Sequence, residues 1–309
     1  MSPSPLNRIR RDGDALDEAR PPAPFVVGLT RSGTTLLRMM LDAHPLLTIP
    51  PETHFVPELI KAARAEEGVD GMLAALTSNR TWEDFGIASA EMRERLAQVP
   101  AGDAAGAVRA FFEAYAEKQG KPRWGDKTPA YMLSVQRIGR TLPESRFIHL
   151  IRDGRDVALS QSARAINEQP PPPEQAARWV KRIRKSREQA ASLKGARYVE
   201  ARYEDLVRDP ETTLRRICEF IDLPFDEAML TYHERAAERL TEMAGSLRAE
   251  GGHAEQAAGY RIDNHAPTTK PPDPAKLDKW RREMSPEDLA AYDAVAGDLL
   301  NELGYEVPS

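Results

Sequence analysis

Three groups of residues in this 309-residue chain have types and spacings that could do chemistry. The first lies in residues 25–37, FVVGLTRSGTTLL. Gly28 and Gly33 have the G-x-x-x-x-G spacing of a phosphate-binding loop, and Thr35 stands where such loops carry a magnesium-binding hydroxyl. Thr34, however, occupies the slot of the lysine that grips β- and γ-phosphates. A glycine-rich turn from strand to helix aims backbone N–H groups at an anion, and the helix start adds partial positive charge. Ser32, Thr34 and Thr35 supply hydroxyl donors, and Arg31 places a cation inside the turn. None of this needs lysine unless the ligand is a triphosphate with Mg²⁺. A nucleotide 5′-phosphosulfate fits better, because a sulfuryl group carries less charge and needs only hydrogen-bond donors and single cations. The plainer alternative, a glycine turn that merely packs strand on helix, does not explain R-S-G-T-T.

The second group is FIHLIRDGRDVALSQSAR, residues 147–164. Arg152 ends an apolar strand, and Ser160 and Arg164 share a face of the helix that follows. Arg152 and Ser160 can therefore meet one anion near a helix start. The alternative is an Arg–Asp surface pair beside a turn. The third group is an acid and an amine. Glu52 in TIPPETHF is held by Pro50 and Pro51, and Lys127 in RWGDKTPAYM is expected on a tight turn. Transfer to a hydroxyl needs a base for its proton and a cation for the leaving group, and these two residues could supply them. A solvated glutamate and a turn lysine paired with Asp126 are the plainer readings. His54 is the second candidate base.

The elements that must position these groups are legible in outline. Residues 25–29, 146–151 and 196–203 read as strands, and 34–41 reads as a helix. Strands alternating with helices imply βαβ units and a parallel sheet. Residues 42–142 are mostly helical, and a helix near 174–193 follows the PPPP breaker. Asp209 is read as an N-cap with Pro210 first in its helix, and Ser285 with Pro286 likewise. Gly304 is the expected stop of the last helix. Residues 256–277 read as a long loop of the kind that is often functional. Residues 1–23 are read as a disordered arm and 24–309 as one domain.

Composition narrows the classes. A formal net charge of −5 argues against general nucleic-acid binding, and the basic cluster at 178–187 reads as a solvated helix face. One cysteine, Cys218, allows no internal disulfide and no cysteine-cluster metal site, and its apolar setting places it in the core. The N-terminus lacks a signal-like apolar run and no segment is long enough to span a membrane, so a soluble, cytoplasmic protein is expected. A homodimer is left open.

The loop GLTRSGTTLLRMMLDAHPLLTIPPETHF resembles the 5′-phosphosulfate loop of sulfotransferases that use 3′-phosphoadenosine 5′-phosphosulfate (PAPS). It is most similar to bacterial members akin to protein-tyrosine sulfotransferases. Thr30 departs from the family's usual proline, and the resemblance is weakest over residues 61–119. The family implies a P-loop-NTPase-like three-layer α/β/α fold with a central parallel sheet and helix-rich insertions. It implies that residues 31–35 cradle the 5′ side, and that Arg152, Ser160, Arg164 and Lys270 hold the 3′-phosphate. Tyr203 would lie near the nucleotide, Glu52 would be the catalytic base, and Lys127 and Arg31 would stabilise the transition state. His54 would touch the acceptor. The family's late-loop serine has no clear match: Asn264 or His265 lies nearest, with Thr268 and Thr269 as uncertain neighbours. Transfer would be direct and in line, without a metal, giving 3′,5′-bisphosphoadenosine. The acceptor hydroxyl could belong to a small molecule, a glycan or lipid head group, or a tyrosine. A P-loop kinase or NTPase is the competing reading, against which Thr34 and the lack of a Walker-B run both count.

Overall fold

The structure is a computed structural model that describes residues 20–163, 170–247 and 256–308. In chain order it contains β1 (Ala23–Val27), α1 (Thr34–Asp42), β2 (Leu47–Thr48), α2 (Val56–Arg64), α3 (Gly68–Thr77), α4 (Ser89–Ala97) and α5 (Ala104–Lys118). There follow β3 (Arg123–Trp124), β4 (Asp126–Lys127), α6 (Val135–Thr141), β5 (Ser145–Ile151), α7 (Gly154–Ser162), α8 (Pro172–Ala191) and β6 (Tyr198–Arg202). The C-terminal part is helical: α9 (Tyr203–Arg208), α10 (Pro210–Phe220), α11 (His233–Leu240), α12 (Tyr260–His265), α13 (Trp280–Glu283) and α14 (Pro286–Glu302).

The central sheet has the order β4-β1-β5-β6, with every pairing parallel. The two inner strands, β1 and β5, are largely apolar on both faces because helices cover both. Phe25, Val27, Phe147 and Ile151 point into a core shared with α2, α5, α6, α8 and α14. The alternating residues Val26, Ile148 and Leu150 point into a second core with α1, α10 and α11. The result is a three-layer α/β fold, as the strand–helix alternation predicts. Burying each of these large side chains is worth about 1.5–3 kcal/mol, so the sheet is a rigid base for the loops at its carboxyl ends.

Sequence patterning locates the caps well. The Asp209 side chain accepts from Thr212 N, that of Ser285 from Asp288 N, and Gly304 ends the last helix at φ 76°. Cys218 is buried as expected, and the basic residues 178, 181, 182, 184 and 185 are solvated.

Four expectations need correcting. The first strand begins at Ala23, which is buried and hydrogen-bonded to Glu144 O, so order starts before Pro24. The third strand is shorter than expected, Tyr198–Arg202. Lys127 is not on a turn: Asp126 and Lys127 form β4, paired to Phe25 and Val26 of β1. Two-residue strands carry no readable period, so this one was invisible in the sequence. Residues 256–277 are not a structureless loop, because α12 and short 3₁₀ turns at Ala266–Thr269 and Pro274–Lys276 organise them. The basis is local: Thr268 and Thr269 hydroxyls bond back to His265 O and Ala266 O at 2.7 and 2.8 Å.

Candidate active site

The loop after β1 turns tightly because two residues adopt left-handed backbone, Arg31 at φ 77° and Gly33 at φ 87°. At Gly28 an added Cβ would lie 2.6 Å from Leu150 O, so glycine lets β1 run against β5 there. At Gly33 it would lie 2.2 Å from the Tyr203 ring, which closes over the loop. Helix α1 then starts without any side-chain cap on its first-turn N–H groups. Ser32 Oγ is buried beside them and has no hydrogen-bond partner. Uncapped helix amides plus an orphaned buried hydroxyl are what an anion cradle presents.

The second motif comes to the same place. Arg152, at the end of β5, donates to Arg31 O at 3.2 Å and to Asp156 Oδ2 at 3.1 Å, while its Nε is buried without a partner. Its guanidinium carbon lies 4.9 Å from the centroid of Tyr203. Ser160 Oγ accepts from Arg31 Nε at 3.1 Å. Arg31, Arg152, Ser160 and Tyr203 thus surround one end of the loop. Arg164 lies outside the described residues. Lys270 is exposed, with its carbonyl anchored by the Tyr232 hydroxyl at 2.7 Å.

At the other end of the loop sit the acid and the amine. Lys127 Nζ is 2.5 Å from Glu52 Oε1 and 3.3 Å from Thr35 Oγ1, and His54 Nε2 is 3.1 Å from Glu52 Oε2. Lys127 is buried, at 2% exposure, whereas Glu52 keeps 29%. Burial pushes the Glu52 carboxyl upward, but the Lys127 ammonium and the His54 hydrogen bond outweigh it and hold it below the usual carboxylate range. Burial lowers the Lys127 pKa, an effect that Glu52 opposes. His265, at the end of α12, senses Lys127, Glu52 and Arg31 from the late segment. Burial, reinforced by the Lys127 charge, depresses its pKa to about 3, which keeps the ring neutral. Asn264 precedes it and is half-buried.

The Glu52 loop is fixed from several sides. Arg38, fully buried on α1, donates to Ile49 O at 2.9 Å, and Asp42 Oδ1 accepts from Ile49 N and Thr48 Oγ1. Thr81 Oγ1 donates to Glu52 O at 3.1 Å. His54 takes a left-handed φ of 52°, a strained turn for a non-glycine residue that re-aims the chain into α2. Sequence reasoning overlooked Arg38, although an arginine amid LL-R-MML on an apolar helix was a readable signal. It also overlooked the hydroxyls of Thr53, Thr128 and Tyr131, for which the sequence offers no such signal. Among the described residues no group of three or more His, Cys, Asp or Glu side chains could hold a metal ion, and no helix is long and apolar enough to cross a membrane.

Comparison with known proteins identifies relatives of this chain. Residues 22–227 match the sulfotransferase family model. Protein-tyrosine sulfotransferase A of Caenorhabditis elegans is 26% identical over 291 residues, covering 92% of this chain and 67% of the relative. Human protein-tyrosine sulfotransferase 1 is 26% identical, covering 92% and 70%. Among solved structures, the sulfotransferase domain of the Synechococcus PCC 7002 olefin synthase aligns with a TM-score of 0.57 at 27% identity, over 94% of this chain and 98% of that one. The sulfotransferase domain from the curacin biosynthetic pathway reaches a TM-score of 0.62 at 23% identity, which speaks to the fold.

Proposed function

The chain belongs to the sulfotransferase family, and its reaction is sulfuryl transfer; from that premise we propose which of its residues perform the transfer from PAPS to an acceptor hydroxyl. The single observation that carries the assignment is the contact chain Thr35–Lys127–Glu52–His54 at the end of an uncapped anion loop.

The 3′-phosphate falls to Arg152 and Ser160, with Lys270, and the 5′ side to residues 31–35. The buried unpartnered groups Ser32 Oγ and Arg152 Nε are the donors such a ligand would satisfy. PAPS supplies an activated sulfur whose bond to the bridging phosphate oxygen breaks as a new S–O bond forms. Glu52 receives the acceptor's hydroxyl proton. Lys127 and Arg31 offset the charge gathered on the departing phosphate. The Lys127 ammonium, 2.5 Å from Glu52 Oε1, keeps Glu52 ionised, which is the form a base requires. When Lys127 turns toward the bridging oxygen, Glu52 loses its nearest cation and its proton affinity rises. Of the two residues the sequence left open, His265 is assigned to the transferring sulfuryl group on the ground that its ring is under the electrostatic influence of Lys127, Glu52 and Arg31. His54, with its side chain 41% exposed beside Glu52, is placed to meet the acceptor. A tyrosine hydroxyl is the acceptor named in the relatives, and we take a phenolic hydroxyl as the first acceptor to test. A cytoplasmic setting suits a chain whose one cysteine is a buried free thiol.

The test uses ³⁵S-labelled PAPS with a tyrosine peptide, 4-methylumbelliferone and an alkyl alcohol, beside calorimetric binding of 3′,5′-bisphosphoadenosine and of ATP–Mg²⁺. Label transfer and tight bisphosphate binding are expected. Arg152→Ala should weaken that binding at least tenfold, since a charge-assisted contact is worth about 1.5–3 kcal/mol. Unchanged affinity in that variant would refute the 3′-phosphate assignment.

A further inference from the structure

Behind the Glu52–Lys127 pair lies a buried set of hydroxyls whose hydrogen bonds converge on one carboxyl, that of Asp126. Val56 N donates to Tyr131 Oη at 2.9 Å, and Tyr131 Oη lies 2.9 Å from Thr53 Oγ1; with the single Thr53 hydroxyl proton given to Asp126, Tyr131 is the donor in that contact. Thr53 Oγ1 in turn donates to Asp126 Oδ1 at 2.8 Å. From the other side, Thr53 N donates to Thr128 Oγ1 at 2.9 Å, and Thr128 Oγ1 donates to Asp126 Oδ1 at 3.2 Å. Two chains of donors therefore start at backbone amides and end on one oxygen. All four side chains are buried, at 3% exposure or less. The other oxygen, Asp126 Oδ2, is buried without a partner.

The positions of the members in the chain give the network its meaning. Thr53 directly follows Glu52, and Asp126 directly precedes Lys127. Glu52 sits on a strained loop outside the sheet, whereas Lys127 sits on a strand hydrogen-bonded to β1. We propose that Asp126 is a positioning residue, the acceptor that ties the Glu52 loop to β4 and so fixes the base and the amine at reacting distance. Thr53, Thr128 and Tyr131 are the struts of this device. The inference rests on the assignment of Glu52 and Lys127 to the reaction. Burial pushes the Asp126 carboxyl up to about 7, against the hydroxyl hydrogen bonds that lower it. That suits a group needed for its acceptor oxygen rather than for a full charge.

The test compares variants that break the chain with variants that keep it, in the full-length protein. Thr53→Val and Asp126→Ala remove a link; Thr53→Ser and Asp126→Asn retain the donor and the acceptor. Rates are measured with ³⁵S-labelled PAPS and whichever acceptor in the panel turns over fastest. Folding and donor binding are read from the thermal shift produced by 3′,5′-bisphosphoadenosine. Thr53→Val should lower kcat by tenfold or more, while KM for PAPS and the bisphosphate shift stay within about twofold of wild type. Thr53→Ser should keep more than half of kcat. Asp126→Ala and Asp126→Asn should divide in the same way and serve if Thr53→Val does not fold. Wild-type kcat in Thr53→Val, or equal losses in Thr53→Ser and Thr53→Val, would overturn the proposal. Glu52→Gln separates the two levels. If that variant is dead and Thr53→Val is fully active, only the positioning role fails; if Glu52→Gln turns over normally, the catalytic assignment itself fails.

Discussion

Lys127 and Glu52 form an ion pair of unequal exposure, and that inequality predicts an asymmetric double-mutant cycle. Glu52→Ala leaves the Lys127 ammonium at 2% exposure with Thr35 Oγ1, 3.3 Å away, as its remaining hydrogen-bond partner at that site. Removing one partner of a buried pair costs about 3–5 kcal/mol, and Lys127 is buried enough for the lower end of that range to apply. Lys127→Met keeps an apolar stem in the same space and leaves Glu52 with 29% exposure and its bond to His54. A partly hydrated carboxylate of that kind should cost only about 1 kcal/mol. The double variant removes both charges, so it should be more stable than Glu52→Ala alone, with a coupling of about 2 kcal/mol. Urea unfolding at pH 7, at constant m, measures all four corners. The pair also has an acid signature. The Glu52 carboxyl is held below its unfolded value near 4.3, so its contribution is fully present above that pH and is lost as pH falls below it. In Lys127→Met this acid-side loss should shrink. If Lys127→Met destabilises more than Glu52→Ala, or if the two effects add within about 0.5 kcal/mol, the reasoning from burial is wrong.

Two further outcomes follow from the same coordinates. Gly33→Ala places a Cβ 2.2 Å from the Tyr203 ring at a φ of 87°, so it should cost about 1–3 kcal/mol in unfolding and abolish measurable calorimetric binding of 3′,5′-bisphosphoadenosine. His149 is fully buried on β5, with Nδ1 2.5 Å from the Tyr198 hydroxyl and Nε2 unpartnered, and burial depresses its pKa to about 4. The unfolded chain binds that proton near pH 6.5, so stability should fall as pH drops from about 6.5 to 4; His149→Phe should flatten the pH dependence of the urea midpoint in that window.

Much of the site was legible in the sequence because its motifs are local. The G-x-x-x-x-G turn, the strand-ending Arg152 with Ser160 on the next helix, and the proline-held Glu52 each declare themselves within a dozen residues. Helix caps at Asp209, Ser285 and Gly304 are local too, and they fall where the sequence puts them. Contacts between segments far apart were not legible. β4 is two residues long and exists because β1 offers it a parallel edge; no periodicity could reveal it, and Lys127 was accordingly placed on a turn. The order in residues 256–277 was hidden as well. It depends on hydroxyls closing short turns and on the partly buried Arg261–Asp84 pair, whose members are 177 residues apart.

The residue types and their spacing along the chain therefore determined a candidate anion loop without its lysine, a second candidate anion motif, an acid and an amine, all on a parallel α/β frame. Backbone geometry and charge follow from such short stretches directly. Tertiary structure alone decided that Arg31 reaches Ser160, that Lys127 grips both Glu52 and Thr35, and that two chains of hydroxyls converge on Asp126. Apart from the local Thr128–Asp126 bond, these are contacts across 73 to 129 residues of sequence. They are fixed by packing two cores against one sheet, and a linear pattern does not encode which polar groups that packing will leave face to face.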